Sequence, residues 1–274
     1  MKRLIVISLM LPVCLFISGN SLAPNIKTYE YGFFSDKKMM LGEELTYVVS
    51  YSLIKLGEVK LLVKDKKEIN GKEYYNTVAY INSYSGIPFV SLHQIYESKL
   101  NQDYASEYFR GLVKHDQYST FTEYNFNYKD SKIKIKKGKV NPYQLWTDSS
   151  AGFNRPMQDG LSIFYYARMN LGTKKSVNVP CFVNEKYENT KINFYTDVQK
   201  AEMDAVNYDV SCLRLDGNMN FISIYGLTGY FEGWFSNDEA SIPIVAKMQV
   251  FLGNVKLELK QWKREGWNPP KYRR

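Results

Sequence analysis

Histidine is almost absent from this chain. Only His93 and His115 occur in 274 residues, so a serine nucleophile would have two bases to draw on and a zinc site of three or four ligands would need other groups. His93 and Glu97 stand four apart in SLHQIYESKL and supply two ligands with no third; no metal site and no cofactor is expected. His115, beside Asp116, reads as a surface or groove residue on a strand. Cysteine is as scarce. Cys14 falls in an N-terminal apolar run, which leaves Cys181 and Cys212. Period-two reading places Cys181 with Val177 and Val179, and Cys212 with Val206, Tyr208 and Val210, each on the apolar face of a strand. The run KINFYTDV between them reads as a further strand, which in a simple meander holds the thiols about 10 Å apart, beyond disulfide reach. Two buried free thiols are expected, with a disulfide as the alternative.

Long apolar runs are confined to the beginning. MKRLIVISLMLPVCLFISGNSLA has two cations, an apolar core shorter than the roughly 20 residues of a spanning helix, and small residues at its end. Residues 1–23 are therefore expected to be a Sec-type signal peptide, cut after Ala23 or Ser21, with Cys14 a hydrophobic bystander. No later segment has the length for a spanning helix, so the rest reads as a soluble exported protein. The formal charge is +8; without Lys2 and Arg3 it is 34 cations against 28 acids, or +6. That excess is small and dispersed, and with export it argues against a nucleic-acid partner.

What the chain has in quantity is tyrosine and phenylalanine in alternating segments. EELTYVVSY sets Leu45, Tyr47, Val49 and Tyr51 against Glu44, Thr46 and Ser50, and GEVKLLVKDK and NVKLELKQW repeat the device. Turn signals at Asn70-Gly71, Lys129-Asp130 and Asp216-Gly217 punctuate them. One segment breaks the pattern. In QDGLSIFYYARMNLG, Asp159 is a natural N-cap, Leu161, Phe164, Tyr165, Arg168 and Leu171 recur at helical spacing, and Gly172 terminates. The expectation is a mainly β fold: a large curved antiparallel sheet of ten or more strands, or a partly closed barrel, wrapped around one main helix of about three turns. Residues 24–40 form an N-terminal loop, 41–262 a single β-rich domain, and 263–274 a solvated basic tail. Trp267 and Tyr272 among its cations make that tail the place for peripheral membrane contact.

Three polar features invite a chemical reading. In FEGWFSNDEASIP, Ser236 and Asp238 flank Asn237 beside Trp234 and Phe235, and the turn-rich SNDEAS between two strands predicts a hairpin loop closed by those side chains rather than a catalytic serine. SKIKIKKGKV interleaves Ile133 and Ile135 with Lys132, Lys134 and Lys136. This predicts an edge strand guarded by lysines, with anionic lipid or polysaccharide contact as the alternative. Arg168 shares the apolar helix face, where it must snorkel out or find a carboxylate; a structural ion pair with Asp238 or Glu232 is expected, with ligand anchoring as the alternative.

GEELTYVVSYSLIKLGEVKL, QDGLSIFYYAR and GWFSNDEASIPIVAKMQVFLGNVKLELKQW together resemble bacterial exported proteins grouped as the domain-of-unknown-function 3108 family, over residues 41–262. The resemblance matches the family's helix motif at Asp159, Ser162, Tyr165 and Arg168, and its turn motif at Trp234, Ser236 and Asp238, as ligand-binding or structural residues. Asn237 stands where the family often repeats an aspartate, which weakens a paired-carboxylate metal site. The resemblance implies the periplasm and assigns no activity. The expected function is non-enzymatic binding of a hydrophobic or amphipathic envelope ligand, such as a lipid, or of an envelope partner protein. The alternative is a hydrolase of cell-wall or surface glycans using Glu232 and Asp238.

Overall fold

The computed structural model describes residues 38–87, 91–223, 227–250 and 253–273, all within one compact unit, Phe33–Arg274. The expected signal peptide and most of the N-terminal loop lie outside the described residues. The first eight strands are β1 (Glu44–Tyr51), β2 (Ile54–Ile69), β3 (Lys72–Ser83), β4 (His93–Asn101), β5 (Ser106–Lys114), β6 (Ser119–Asn127), β7 (Lys132–Lys139) and β8 (Gln144–Gly152). After the helix α1 (Ser162–Met169) come β9 (Lys175–Val183), β10 (Lys186–Ala201), β11 (Val210–Met219), β12 (Leu227–Ser236), β13 (Pro243–Val250) and β14 (Gly253–Lys263).

All fourteen strands join one antiparallel sheet in the order β8 to β1, then β14 to β9. Two meanders are thus zipped together where β1 pairs with β14, from Glu44 opposite Lys263 to Tyr51 opposite Val255. The free edges, β8 and β9, are neighbours in sequence, and the segment between them carries α1. The sheet curls until these ends approach, and loops and side chains make the closure. Met157 accepts from the Ser106 amide at 3.0 Å, and Gln158 exchanges bonds of 2.9 and 2.8 Å with Pro180 and Phe182 of β9. At the tip of the β9–β10 hairpin, Glu185 accepts from the Tyr124 hydroxyl at 2.6 Å and from the Lys137 ammonium at 2.8 Å. This is the expected curved, partly closed barrel around a single helix.

The alternating residues point as their period requires. Leu45 and Tyr47 of β1, Leu61 and Val63 of β2, and Ile133 and Ile135 of β7 are all buried. Across the inner face a ladder of rings runs from Tyr96 to Phe109 (6.0 Å) to Tyr124 (5.4 Å) and ends edge-on against Phe182 of β9 (5.1 Å). Each such ring pair adds about 0.5–1.5 kcal/mol to the area it buries, so the ladder helps hold the unpaired ends together.

Four expectations are corrected. SKIKIKK is not the edge: β7 pairs with β6 on one side and β8 on the other. The edge strand β8 has most of its side chains exposed, which erases the alternation that would announce it. Asp216-Gly217 is not a turn but lies inside β11, where a Cβ on Gly217 would collide with the Lys191 carbonyl and the Phe231 ring. The helix is shorter than expected, eight residues or roughly two turns. The last residues are docked rather than solvated. The Ser211 amide donates to Pro270 at 2.7 Å, the Tyr272 amide to Asp209 at 2.8 Å, and Trp267 packs edge-on against Trp262 at 5.6 Å.

Candidate functional site

Asp159 does what an N-cap does, in full burial. Its Oδ1 accepts from the amides of Leu161 (2.7 Å) and Ser162 (2.8 Å), and the Ser162 hydroxyl accepts in return from the Asp159 amide at 2.7 Å. This reciprocal box satisfies amides that a helix start leaves without partners. Oδ2 accepts from the hydroxyls of Ser98 on β4 and Ser106 on β5. One carboxylate therefore starts the helix and fastens it to the sheet. Burial pushes this carboxyl above its ordinary range, opposed by the bonds from Ser106, Ser98 and the backbone.

Arg168, on the last turn of α1, is wholly buried and finds its carboxylate in neither Asp238 nor Glu232. Its Nη1 and Nη2 donate to the two oxygens of Glu43 at 2.6 and 2.9 Å, and its Nε and Nη2 donate to the Ala240 carbonyl at 3.0 and 2.9 Å. Glu43 also accepts from Arg264, so one buried carboxylate holds two guanidinium groups. Burial alone would lower the Arg168 pKa, but the Glu43 charge outweighs it and the group is held above its ordinary value. Tyr165, one turn back, is buried beside the same groups, and burial followed by the Glu43 charge raises its phenol.

The turn after β12 completes this lock. Asp238 Oδ1 accepts from the Ser236 hydroxyl (2.8 Å) and from the amides of Ala240 (3.0 Å) and Ser241 (3.1 Å), while Ser236 Oγ accepts from the Ile242 amide at 2.7 Å. Asp238 Oδ2 accepts from the Trp267 indole at 2.8 Å. The expected hairpin closure is what these residues make. By shaping the turn they present the Ala240 carbonyl to Arg168, so the helix, the turn, the residue before β1 and the C-terminal segment meet at one buried point.

Trp234 stands apart. It lies on β12 with its indole donating to Gln199 at 3.0 Å and the Lys247 ammonium 5.1 Å from its ring. Glu232, two residues earlier, pairs with Arg214 at 3.3 Å and Lys247 at 3.8 Å. Glu232 and Asp238 therefore serve separate networks and share none of their hydrogen-bond or ion-pair partners. Sequence reasoning missed the network centred on Asp216, which accepts from Asn193 (2.7 Å), Tyr195 (2.9 Å) and Arg214 (2.8 Å). It also missed Glu43, for which no local pattern gives a signal.

Cys181 and Cys212 are free and buried, on β9 and β11 with β10 between them, and burial pushes both thiols up to about 12. His93 is exposed and bonded to Asn82 at 3.1 Å. Among the described residues no three His, Cys, Asp or Glu side chains come together.

Around the helix, Leu161, Tyr165 and Met169 are packed to 2% exposure or less. Two open depressions among the described residues lie elsewhere. One, of about 520 Å³, is an open groove lined by residues including Thr46 of β1, Glu58, Lys60 and Leu62 of β2, Tyr80 of β3 and Tyr84 just after it. There Glu58 accepts from Lys260 and Tyr84, both at 2.8 Å, and these two hold its carboxyl below the ordinary range. The other, of about 600 Å³, lies between the β10–β11 connection and β14 and is predominantly polar.

The profile described as protein of unknown function (DUF3108) matches residues 46–260. The chain belongs to the DUF3108 family. No curated protein matches it in sequence. Among solved structures, this DUF3108 chain is similar to a β-barrel-like protein of the DUF1849 domain from Brucella abortus, at 10% identity and TM-score 0.44, covering 81% of this chain and 97% of that one. A protein from Bacteroides fragilis described as exported, with a YmcC-like fold, matches at 10% identity and TM-score 0.36 over 85% and 99% of the two chains. One from Parabacteroides distasonis described as a lipoprotein matches at 10% identity and TM-score 0.33 over 84% and 98%.

Proposed function

We propose that this DUF3108 protein is a non-enzymatic exported protein of the bacterial envelope that binds an amphipathic envelope molecule, or an amphipathic segment of an envelope partner, on its outer face. The observation that carries the reading is the groove over β1–β3, where Leu62, Tyr80 and Tyr84 lie beside Glu58 and Lys60. Apolar area next to fixed charges is what an amphipathic ligand requires. The residues of the two family motifs act as structural supports rather than as reactive groups in this reading, because Asp159, Ser162, Arg168 and Ser236 are all fully buried and spent on backbone and ion-pair contacts. The close packing of α1 argues against a cargo held between helix and sheet. Export rests on the leader-like residues 1–23.

Native mass spectrometry with lipid extraction, on protein purified from periplasm without detergent, tests this. A co-purifying amphiphile of defined mass, lost when Tyr80 and Tyr84 are both replaced by Ala, supports the groove. A bare mass in both proteins, with no partner retained by crosslinking at these positions, overturns it.

A further inference from the structure

The antiparallel order places the β1–β2, β3–β4, β5–β6, β7–β8, β9–β10 and β11–β12 turns at one end of the sheet. Most of the well-exposed large apolar side chains among the described residues gather there: Leu53 (97%), Ile54 (57%), Leu92 (39%), Tyr143 (66%), Trp146 (52%) and Ile222 (60%). At the opposite end, which holds α1 and the C-terminal segment, Leu41, Ile69 and Val198, near the far end of β10, are the comparably exposed ones among the described residues.

The β1–β2 turn shows why folding does not account for this. Ser52 adopts the left-handed conformation (φ 53), the position where a two-residue hairpin loop favours glycine, and Leu53 follows it at the tip, where the turn makes no demand for an apolar side chain. A leucine that is almost fully exposed there contributes nothing to the core. The same end carries cations. Lys55, Lys114 and Lys186 are exposed, and Lys139 sits 4.6 Å from the ring of the exposed Tyr118. Of the carboxylates near these tips, Glu185 is already paired with Lys137 at 2.8 Å and Asp148, two residues past Trp146, lies 3.9 Å from Lys134, while Asp116 is exposed.

We infer that this end docks on the surface of a lipid bilayer bearing anionic headgroups, with the hairpin tips in the interfacial layer. The charge selects an anionic surface. The spacing selects lipid over a shaped protein partner: apolar residues set singly or in pairs on separate turns insert independently into a fluid layer, and Trp and Tyr are the side chains that settle at headgroup depth. The inference does not depend on what the β1–β3 groove binds.

Vesicle flotation tests it. The protein should float with phosphatidylethanolamine–phosphatidylglycerol vesicles, much less with phosphatidylcholine, and less as salt rises. A Leu53→Ser, Ile54→Ser, Trp146→Ser variant should bind roughly ten-fold or more weakly, with unchanged thermal unfolding because all three side chains are exposed. Lys55→Glu with Lys114→Glu should weaken binding to the anionic vesicles alone. Failure of the unaltered protein to bind, or binding by the triple variant equal to it, overturns the proposal; a protein partner at this end would give the first result.

Discussion

Arg168 and Glu43 lie 125 residues apart in sequence and meet through two hydrogen bonds of 2.6 and 2.9 Å where solvent does not reach. The pair joins the last turn of the helix to the residue just before β1, and the Ala240 carbonyl ties both to the turn after β12. A buried ion pair of this kind is costly to break from one side, because the remaining charge keeps its desolvation and loses its partner.

Breaking it from the two sides should therefore give unequal results. Arg168→Met leaves Glu43 with Arg264 still in place, and should cost about 3 kcal/mol. Glu43→Gln leaves two buried guanidinium groups facing each other, and should cost about 5 kcal/mol or prevent folding. Urea denaturation of both variants checks the order. Equal costs would mean that Arg264 does not share the carboxylate in solution.

Asp159 should give the protein a pH-dependent term of opposite sign to that of most carboxylates. Its folded pKa lies above the ordinary 3.8 because burial outweighs its hydrogen bonds. The native state then binds the proton more tightly than the unfolded chain does. This group's contribution is fully present below pH 3.8 and is lost as pH rises through the raised folded value. Asp159→Asn keeps an oxygen for the two amides and an amide group for the two serine hydroxyls. It should remove the pH slope in that window at a small cost, while Asp159→Leu should be strongly destabilising. Chemical denaturation from pH 3 to pH 8 reads both.

The thiols provide a separate check on burial. With both pushed up to about 12 and less than 2% exposed, Cys181 and Cys212 should not react with a thiol-modifying disulfide reagent in the folded protein. Once denaturant is added, two equivalents should react in protein lacking residues 1–23, and a third, from Cys14, where they are retained. Reaction of either in native buffer would place that strand edge in exchange with an open form.

Much of this architecture could be read from alternation. Leu45 with Tyr47 and Ile133 with Ile135 face inward because one side of the sheet is dry, and that is the condition under which period two appears in a sequence. The condition fails in β8, where Leu145 and Trp146 are neighbours and both exposed, so no pattern marks the strand. Asp216-Gly217 reads as a turn from its residue types, yet tertiary crowding by Phe231 is what requires glycine there. At the candidate site, the capping by Asp159 and the turn closure by Ser236 and Asp238 are local and so were legible. That a buried Arg168 needs a carboxylate was also legible. Which of 28 acids supplies it was not, since the pairing is fixed by topology over the length of the chain.

The C-terminal segment supplies the last test, because composition and structure disagree about it. Its five cations and paired prolines suggest a free tail, but the Trp267 indole donates to Asp238 Oδ2 at 2.8 Å and its ring packs on Trp262. If that contact holds in solution, Trp267→Phe removes one hydrogen bond to a carboxylate and should cost about 1.5–3 kcal/mol. Trp267→Ala removes the ring as well and should cost more. The effect should also reach further than the tail. Asp238 shapes the turn that offers the Ala240 carbonyl to Arg168, so Trp267→Ala and Arg168→Met should be less than additive in a double-mutant cycle. A solvated tail would instead give a Trp267→Ala change within about 0.5 kcal/mol of zero, additive with any change at Arg168.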